Sequence, residues 1–211
     1  MATATAQQAL SILRTGAGFS WYIIPIFLLV LLAYGNEVEK KKWNVVLGGM
    51  ALWGMDLFNE IWNALVFHFT QYTAVWVEPA NTVYLIFIGM NIETTFMFAV
   101  MGLFVCKVLP EDKHVKIFGK IPNRVFFAIM NSMLCVIVEI ILNAAGALVW
   151  EYPWWNASAP WLIFLIGYLP FMIVAFVVHD AEKMKTKLTI LGTVLAVDFV
   201  CIAIFIPLGW I

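Results

Sequence analysis

Long apolar runs alternate with short polar connections along the whole chain. A run of about 20 apolar residues is the length that carries an α-helix across a bilayer core of ~30 Å. Six such runs predict six spanning helices: Phe19–Tyr34, Trp43–Phe69, Thr82–Lys107, Arg124–Trp150, Pro160–Val178 and Leu188–Trp210. The predicted fold is an all-α, polytopic membrane bundle. Residues 19–211 form its single domain, and residues 1–18 form an interfacial segment or a loose terminus. Arg14 follows the mildly apolar N-terminal stretch instead of preceding it, which does not fit a signal peptide. Pro170 and Pro207 fall inside the later runs, and neither neighbours an acid in sequence, so few broken helices are expected.

Composition agrees. Hydrophobic residues make up 64% of the chain and charged residues 12%, against about a quarter charged in soluble domains. The net charge of −1 gives no reason to expect a nucleic-acid partner. The basic residues are unevenly placed. The first connection carries Lys40, Lys41 and Lys42. The third carries Lys107, Lys113, Lys116, Lys120 and Arg124, and the fifth Lys183, Lys185 and Lys187. The second and fourth connections carry none, and Arg14 is the one exception. The positive-inside rule then puts the lysine-rich connections in the cytoplasm and both termini outside. Cys106, Cys135 and Cys201 sit far apart in apolar runs and read as packing residues.

An internal echo links two parts of the chain. Glu60 aligns with Glu139, Asn63 roughly with Asn143, "WVEP" at Trp76 with "WEYP" at Trp150, and "LIFIG" at Leu85 with "LIFLIG" at Leu162. These features predict a parallel repeat of a helix pair, 43–107 and 124–178, and such repeats place sites at their interface.

Acids occupy the middles of the runs. Asp56, Glu60 and Asn63 share one helical face, with Asn59 beside them. Glu93, Glu139 and Asp198 lie near the centres of three other runs. Each mid-bilayer acid costs roughly 2.5–3.5 kcal/mol, so the five together would cost more than about 10 kcal/mol in lipid. They are therefore expected to face inward, with no Lys, Arg or His at that depth to pair them. The candidate catalytic residues are Glu60, Glu93, Glu139, Asp56 and Asp198. The candidate substrate-binding residues are Asn59, Asn63, Asn143, Trp53, Trp62, Phe96, Trp76 and Trp155. Acids and amides can also serve only as hydrogen-bond glue between helices. No Glu-x-x-His pair or tetrahedral His/Cys spacing is present, so no di-iron or zinc centre and no cofactor is expected, while a hard cation on the carboxylate oxygens stays compatible with the sequence.

The stretch from "EKKKWNVVLGGMALWGMDLFNEIWNALVF" through "VWVEP" to "IGMNIETTFMFAVMGLFVCKVL" resembles the lycopene cyclase domain of small integral-membrane carotenoid cyclases, mainly over residues 19–110. The shared features are a basic loop, an acid-marked second helix, a tryptophan-rich turn and a glutamate opening a phenylalanine-rich third helix. Glu93 stands at the first glutamate of that family's pair, Thr94 at the second, and Asn91 at its proline. The resemblance implies acid-initiated chemistry on an isoprenoid, as in other small membrane terpene cyclases.

Three functions are compatible with these features. One is an enzyme of isoprenoid or lipid metabolism, in which a buried acid protonates an alkene or epoxide drawn sideways from the bilayer and aromatic rings shield the cation. Another is a proton- or cation-coupled transporter or channel. The third is a structural or pigment-binding subunit of a membrane complex, given 10 Trp and 17 Phe.

Overall fold

The computed structural model describes all 211 residues. It is mostly helical, with two short hairpins. Helix α1 (Ala4–Ile12) is ordered, not a loose terminus. Its Thr3 cap accepts the Ala6 N–H at 3.2 Å, and Ala6 and Ala9 are fully buried. Arg14 donates to the carbonyls of Ile86 and Ile211, both at 3.1 Å, and lies over the Phe87 ring. Those bonds explain how the lone basic residue at this end is accommodated.

Helix α2 (Ile23–Glu39) presents Phe27, Leu28, Leu29, Leu31 and Leu32 outward. Helix α3 (Trp43–Thr70) is central and packs against α4 (Ile92–Lys107), α7 (Leu169–Asp180) and α8 (Met184–Phe205). Small residues permit the closest of these contacts. A Cβ on Gly102 of α4 would stand 2.4 Å from the Gly49 carbonyl of α3. Such small-residue seams are how helices associate where no hydrophobic driving force separates them from lipid.

The predicted third run, Thr82–Lys107, is broken. Residues Leu85–Phe87 (β1) and Met90–Asn91 (β2) form an antiparallel hairpin, and helix begins only at Ile92. Asn91 is the reason. Its side chain accepts the Thr94 N–H at 2.7 Å, and the Thr94 hydroxyl accepts the Asn91 N–H at 3.0 Å. This reciprocal capping fixes a helix start inside apolar sequence. Glu93 consequently lies in the first turn of α4, not near the middle of a span.

After α4, a second hairpin (β3, Lys116–Ile117; β4, Ile121–Pro122) leads into α5 (Asn123–Ala144). A long loop then reaches α6 (Pro160–Leu162), a π turn (Ile163–Tyr168) and α7, which run on as one 21-residue helical stretch. Ion pairs gather the three basic connections at one end. Lys107 meets Glu37 at 2.6 Å, and Arg124 grips Asp180 through two bonds of 2.8 and 2.9 Å.

Three stretches are long and apolar enough to cross a membrane: Asn123–Ala144, Pro160–Asp180 and Met184–Phe205. These are three of the six expected spans, and the other runs fall short of that length or hydropathy. Helices α2 and α4 have only 17 and 16 residues. Helix α3 has 28, but Asp56, Asn59, Glu60 and Asn63 lower its hydropathy.

Candidate functional site: a buried acid chamber

The polar face of α3 meets its partners around a cavity of about 50 Å3, room for one or two waters at roughly 30 Å3 each. Asp56, Asn59 and Glu60 of α3 line one side, and Glu139 of α5 lines another. Glu78 enters from the loop after α3, and Tyr168 from the π turn. Four carboxyl groups thus share one small space, and no Lys, Arg or His lines it. No three of them converge closely enough to hold a metal ion.

Each acid is held differently. Glu60 Oε1 accepts the Trp76 indole N–H at 2.6 Å, and Glu139 Oε1 accepts that of Trp150 at 3.1 Å. Glu78 accepts the Asn91 N–H at 2.8 Å and the Thr94 hydroxyl at 3.3 Å. Burial raises the Glu78 carboxyl well above the ordinary carboxylate range, with the nearby charge of Glu60 adding to the effect. Asp56 Oδ2, Glu60 Oε2 and the Trp155 indole nitrogen are buried without a protein partner. Buried polar atoms are nearly always satisfied, and the cavity these three face is large enough to admit the water that would bond them.

Two asparagines tie loops to the helices that precede them. Asn63 accepts the N–H groups of Val75 and Trp76 at 2.7 and 3.1 Å and donates to the Trp76 carbonyl at 2.8 Å. Asn143 donates to the Leu148 carbonyl at 2.9 Å. In each case the helix holds the loop that follows it. The two loops pair antiparallel, Val77 and Val149 exchanging N–H···O bonds of 3.0 and 2.8 Å. A Cβ on Gly89 would come within 2.4 Å of the Asn63 amide nitrogen and 2.5 Å of the Trp76 ring, so only glycine lets the hairpin close over the chamber.

Pro170 matters despite its distance from acids in sequence. It lacks an N–H, so the carbonyls preceding it lose their usual helical donor. The chain opens into the π turn there, and the Asn59 amide approaches the Ile166 and Gly167 carbonyls, both at 3.5 Å. Single π turns recur at functional sites.

The candidates named from sequence separate into groups. Asp56, Asn59, Glu60, Glu139, Trp76 and Trp155 surround the chamber. Asn63 and Asn143 hold its loops, and Trp62 packs on the stacked Trp76–Trp155 pair. The others lie elsewhere. Glu93 bonds Tyr22, the Thr82 hydroxyl at 2.6 Å and the Val83 N–H at 3.1 Å, fastening the loop to α4. Phe96 stacks on Phe27 of α2 at 5.5 Å, and Trp53 packs among core side chains with its indole nitrogen unpartnered. Asp198 is fully buried beside Gly54, on the face of α3 turned away from the chamber, with neither oxygen bonded. Sequence reading missed Glu78 and Tyr168 as site residues. The repeated Trp–Glu–Pro signature held the clue to Glu78.

Beside the chamber runs an apolar cleft of about 210 Å3 between α4 and α5. It is lined by Met97 and Met101 on one wall and Leu134, Cys135 and Val138 on the other, and ends at Glu139 and Tyr168.

Fold and chamber together define a helical integral-membrane protein. The chain belongs to the family described as "Uncharacterized membrane protein family", whose model matches residues 3–207. It is 54% identical over 212 residues to an "Uncharacterized protein" of Archaeoglobus fulgidus (strain ATCC 49558 / DSM 4304 / JCM 9628 / NBRC 100126 / VC-16), covering 100% of both chains. A shorter relative from the same organism is 45% identical over 53 residues, 25% of this chain and 95% of its own. No solved structure matches. The family match overturns the resemblance to lycopene cyclase domains. The structure supplies a physical reason: Glu93, which carried that resemblance, fastens a loop outside the chamber.

Proposed function

We propose that this protein is a membrane-embedded enzyme that moves protons on a lipid-soluble substrate. The observation that carries the reading is the grouping of four carboxyls without a basic partner, in a chamber whose flank is an apolar cleft. Acids so grouped disfavour shared ionisation, so some retain their protons and can act as donors while others accept. The chemistry is redox-neutral. A carboxylic acid delivers its proton to one carbon of a C=C bond, whose π electrons form the new C–H bond. The cation left on the other carbon is relieved when a second carboxylate removes a proton from a neighbouring carbon and a new C=C forms. The two steps together isomerise the substrate. Attack of a second C=C of the same chain on the cation before that proton is lost forms a C–C bond and cyclises it, and capture by water, which then gives a proton to the carboxylate, hydrates it instead.

Glu60 and Glu139 are the best-placed pair. Each is held by one indole N–H through one oxygen, and the second oxygen of Glu60 is unpartnered. Trp76, Trp155, Phe98 and Tyr168 line the same space and offer aromatic faces to a cation. In this reading the bundle spans the membrane six times. The outward apolar face of α2 and the burial of the polar face of α3 within the bundle support that count. The lysine-rich connections face the cytoplasm and both termini lie outside.

The test is lipid-extract mass spectrometry on cells expressing the wild type, Glu60→Gln or Glu139→Gln. A product present only with the wild type, while both variants fold, is the expected result. Identical lipid profiles in all three would overturn the enzyme reading.

The π turn at Pro170 and the buried acid outside the chamber, Asp198, favour a runner-up, proton-coupled transport. Acid-dependent flux after a pH jump across proteoliposomes would decide for it.

A further inference from the structure

The cleft between α4 and α5 has a direction. Its outer lip is exposed and apolar: Leu134 is 57% exposed, Met97 42% and Val138 40%. Its inner end is polar, at the buried Glu139 and the half-buried Tyr168. The gap exists because α5 leans on α7 and the π turn, while α4 leans on α3 and α2. Nothing polar lines the approach, so water gains little by filling it and hydrocarbon loses little on leaving lipid. Met97 and Met101 form one wall, and their flexible thioethers adapt to irregular apolar guests. At about 210 Å3 the cleft equals about seven liquid-water volumes of roughly 30 Å3 each, enough for the end of one chain and too little for a two-chain lipid.

We propose that the α4–α5 cleft is a lateral entrance for a single-chain apolar ligand, whose chain lies along Met97, Met101, Leu134 and Val138 and whose hydrogen-bonding or unsaturated end stops at Glu139 and Tyr168. This names the substrate class for the enzyme reading and rests on it for its purpose. The binding itself is separable from the chemistry. The chain enters from the bilayer, so affinity depends on its partition into lipid and on the width of the cleft.

The test uses the full-length protein in liposomes with dodecanol carrying a diazirine midway along its chain, photolysed and mapped by peptide mass spectrometry. Labelling on α4 and α5 peptides around Met97, Met101, Leu134 and Val138, suppressed by excess unlabelled dodecanol, is expected. Val138→Trp narrows the cleft from its exposed lip, where a larger ring does not disturb the core. It should lower the suppressible labelling by about tenfold, equivalent to about 1.4 kcal/mol of affinity. Phe199→Trp, on the exposed face of α8, should leave it unchanged. If Val138→Trp does not fold, Met97→Phe makes the same test from the opposite wall. Labelling spread evenly over α2, α5 and α8, or indifferent to both cleft variants, would overturn the proposal. Glu60→Gln should keep the labelling even where it abolishes product. A failure of the enzyme reading would therefore leave the cleft result standing, and a failure of the cleft would not touch the acid variants.

Discussion

The indole N–H of Trp76 donates to Glu60 Oε1 at 2.6 Å, and both residues are buried. The bond joins the middle of α3 to the loop that folds back over it, so it fixes the chamber wall and one oxygen of its acid together. Replacing Trp76 with Phe keeps most of the ring and removes the donor. Glu60 Oε2 already lacks a protein partner, so the variant leaves the whole carboxyl unbonded. A loss of about 1–3 kcal/mol is expected, the usual penalty for orphaning a buried polar group. Thermal unfolding in detergent would measure it, and an unchanged midpoint would show that the bond contributes nothing net.

Asn63 and Asn143 occupy equivalent places in the echo but carry unequal loads. Asn63 is fully buried and makes three bonds to loop backbone, whereas Asn143 makes one. Asn63→Ala would strand two N–H groups and a carbonyl beneath the loop, a loss of about 3 kcal/mol or more. Asn143→Ala should lose about 1 kcal/mol. Equal losses from the two variants would sink this account.

Much of this arrangement was legible in the chain. The matched Glu, Asn and Trp positions pointed to two helix–loop units, and the structure pairs their loops through Val77 and Val149. The α3 face was readable because helical period alone brings Asp56, Glu60 and Asn63 into line. The hairpin before α4 was not read, because hydropathy averages over the Asn91–Thr94 cap that starts the helix. Glu93 was therefore placed too deep. The position of Asp198 depends on which side of α3 meets α8, a packing choice that no single-helix pattern contains.

Glu78 makes the site sensitive to pH. Burial raises its carboxyl well above the ordinary range. A raised value means that the folded state holds the proton more tightly than the unfolded chain. Its contribution to stability is full below the ordinary glutamate value and is lost as pH rises through the raised one. Glu78→Gln mimics the protonated form and removes this dependence. The unfolding midpoint of the wild type should therefore fall relative to the variant as pH rises, with the difference constant at acidic pH. Parallel midpoint curves across the whole range would refute the assignment.

Gly89 tests whether the hairpin must close on the chamber. An alanine there brings a methyl within 2.4 Å of the Asn63 amide and 2.5 Å of Trp76, distances that both must retreat from. The expected loss is about 1–3 kcal/mol, as for overpacking elsewhere. The Trp76 fluorescence environment should also become wetter, best read in a background where the other loop tryptophans are Phe. A stable Gly89→Ala protein with unchanged fluorescence would show that the loop is more pliant than this packing implies.

Asp198 should respond in the opposite sense. It is fully buried at the α3–α8 seam with both oxygens unbonded, so its removal relieves a desolvated polar group instead of breaking a bond. Asp198→Leu is expected to raise stability by about 1–3 kcal/mol. Because α3 separates it from the chamber, its effect should add to that of Glu60→Gln within about 0.5 kcal/mol. Glu60→Gln and Glu139→Gln share one cavity and should depart from additivity by more than that. A destabilised Asp198→Leu would mean that this carboxyl has a partner it needs. Strong coupling between Asp198 and Glu60 would mean that protons pass between the two faces of α3, which is the behaviour a transporter requires and an enzyme chamber does not.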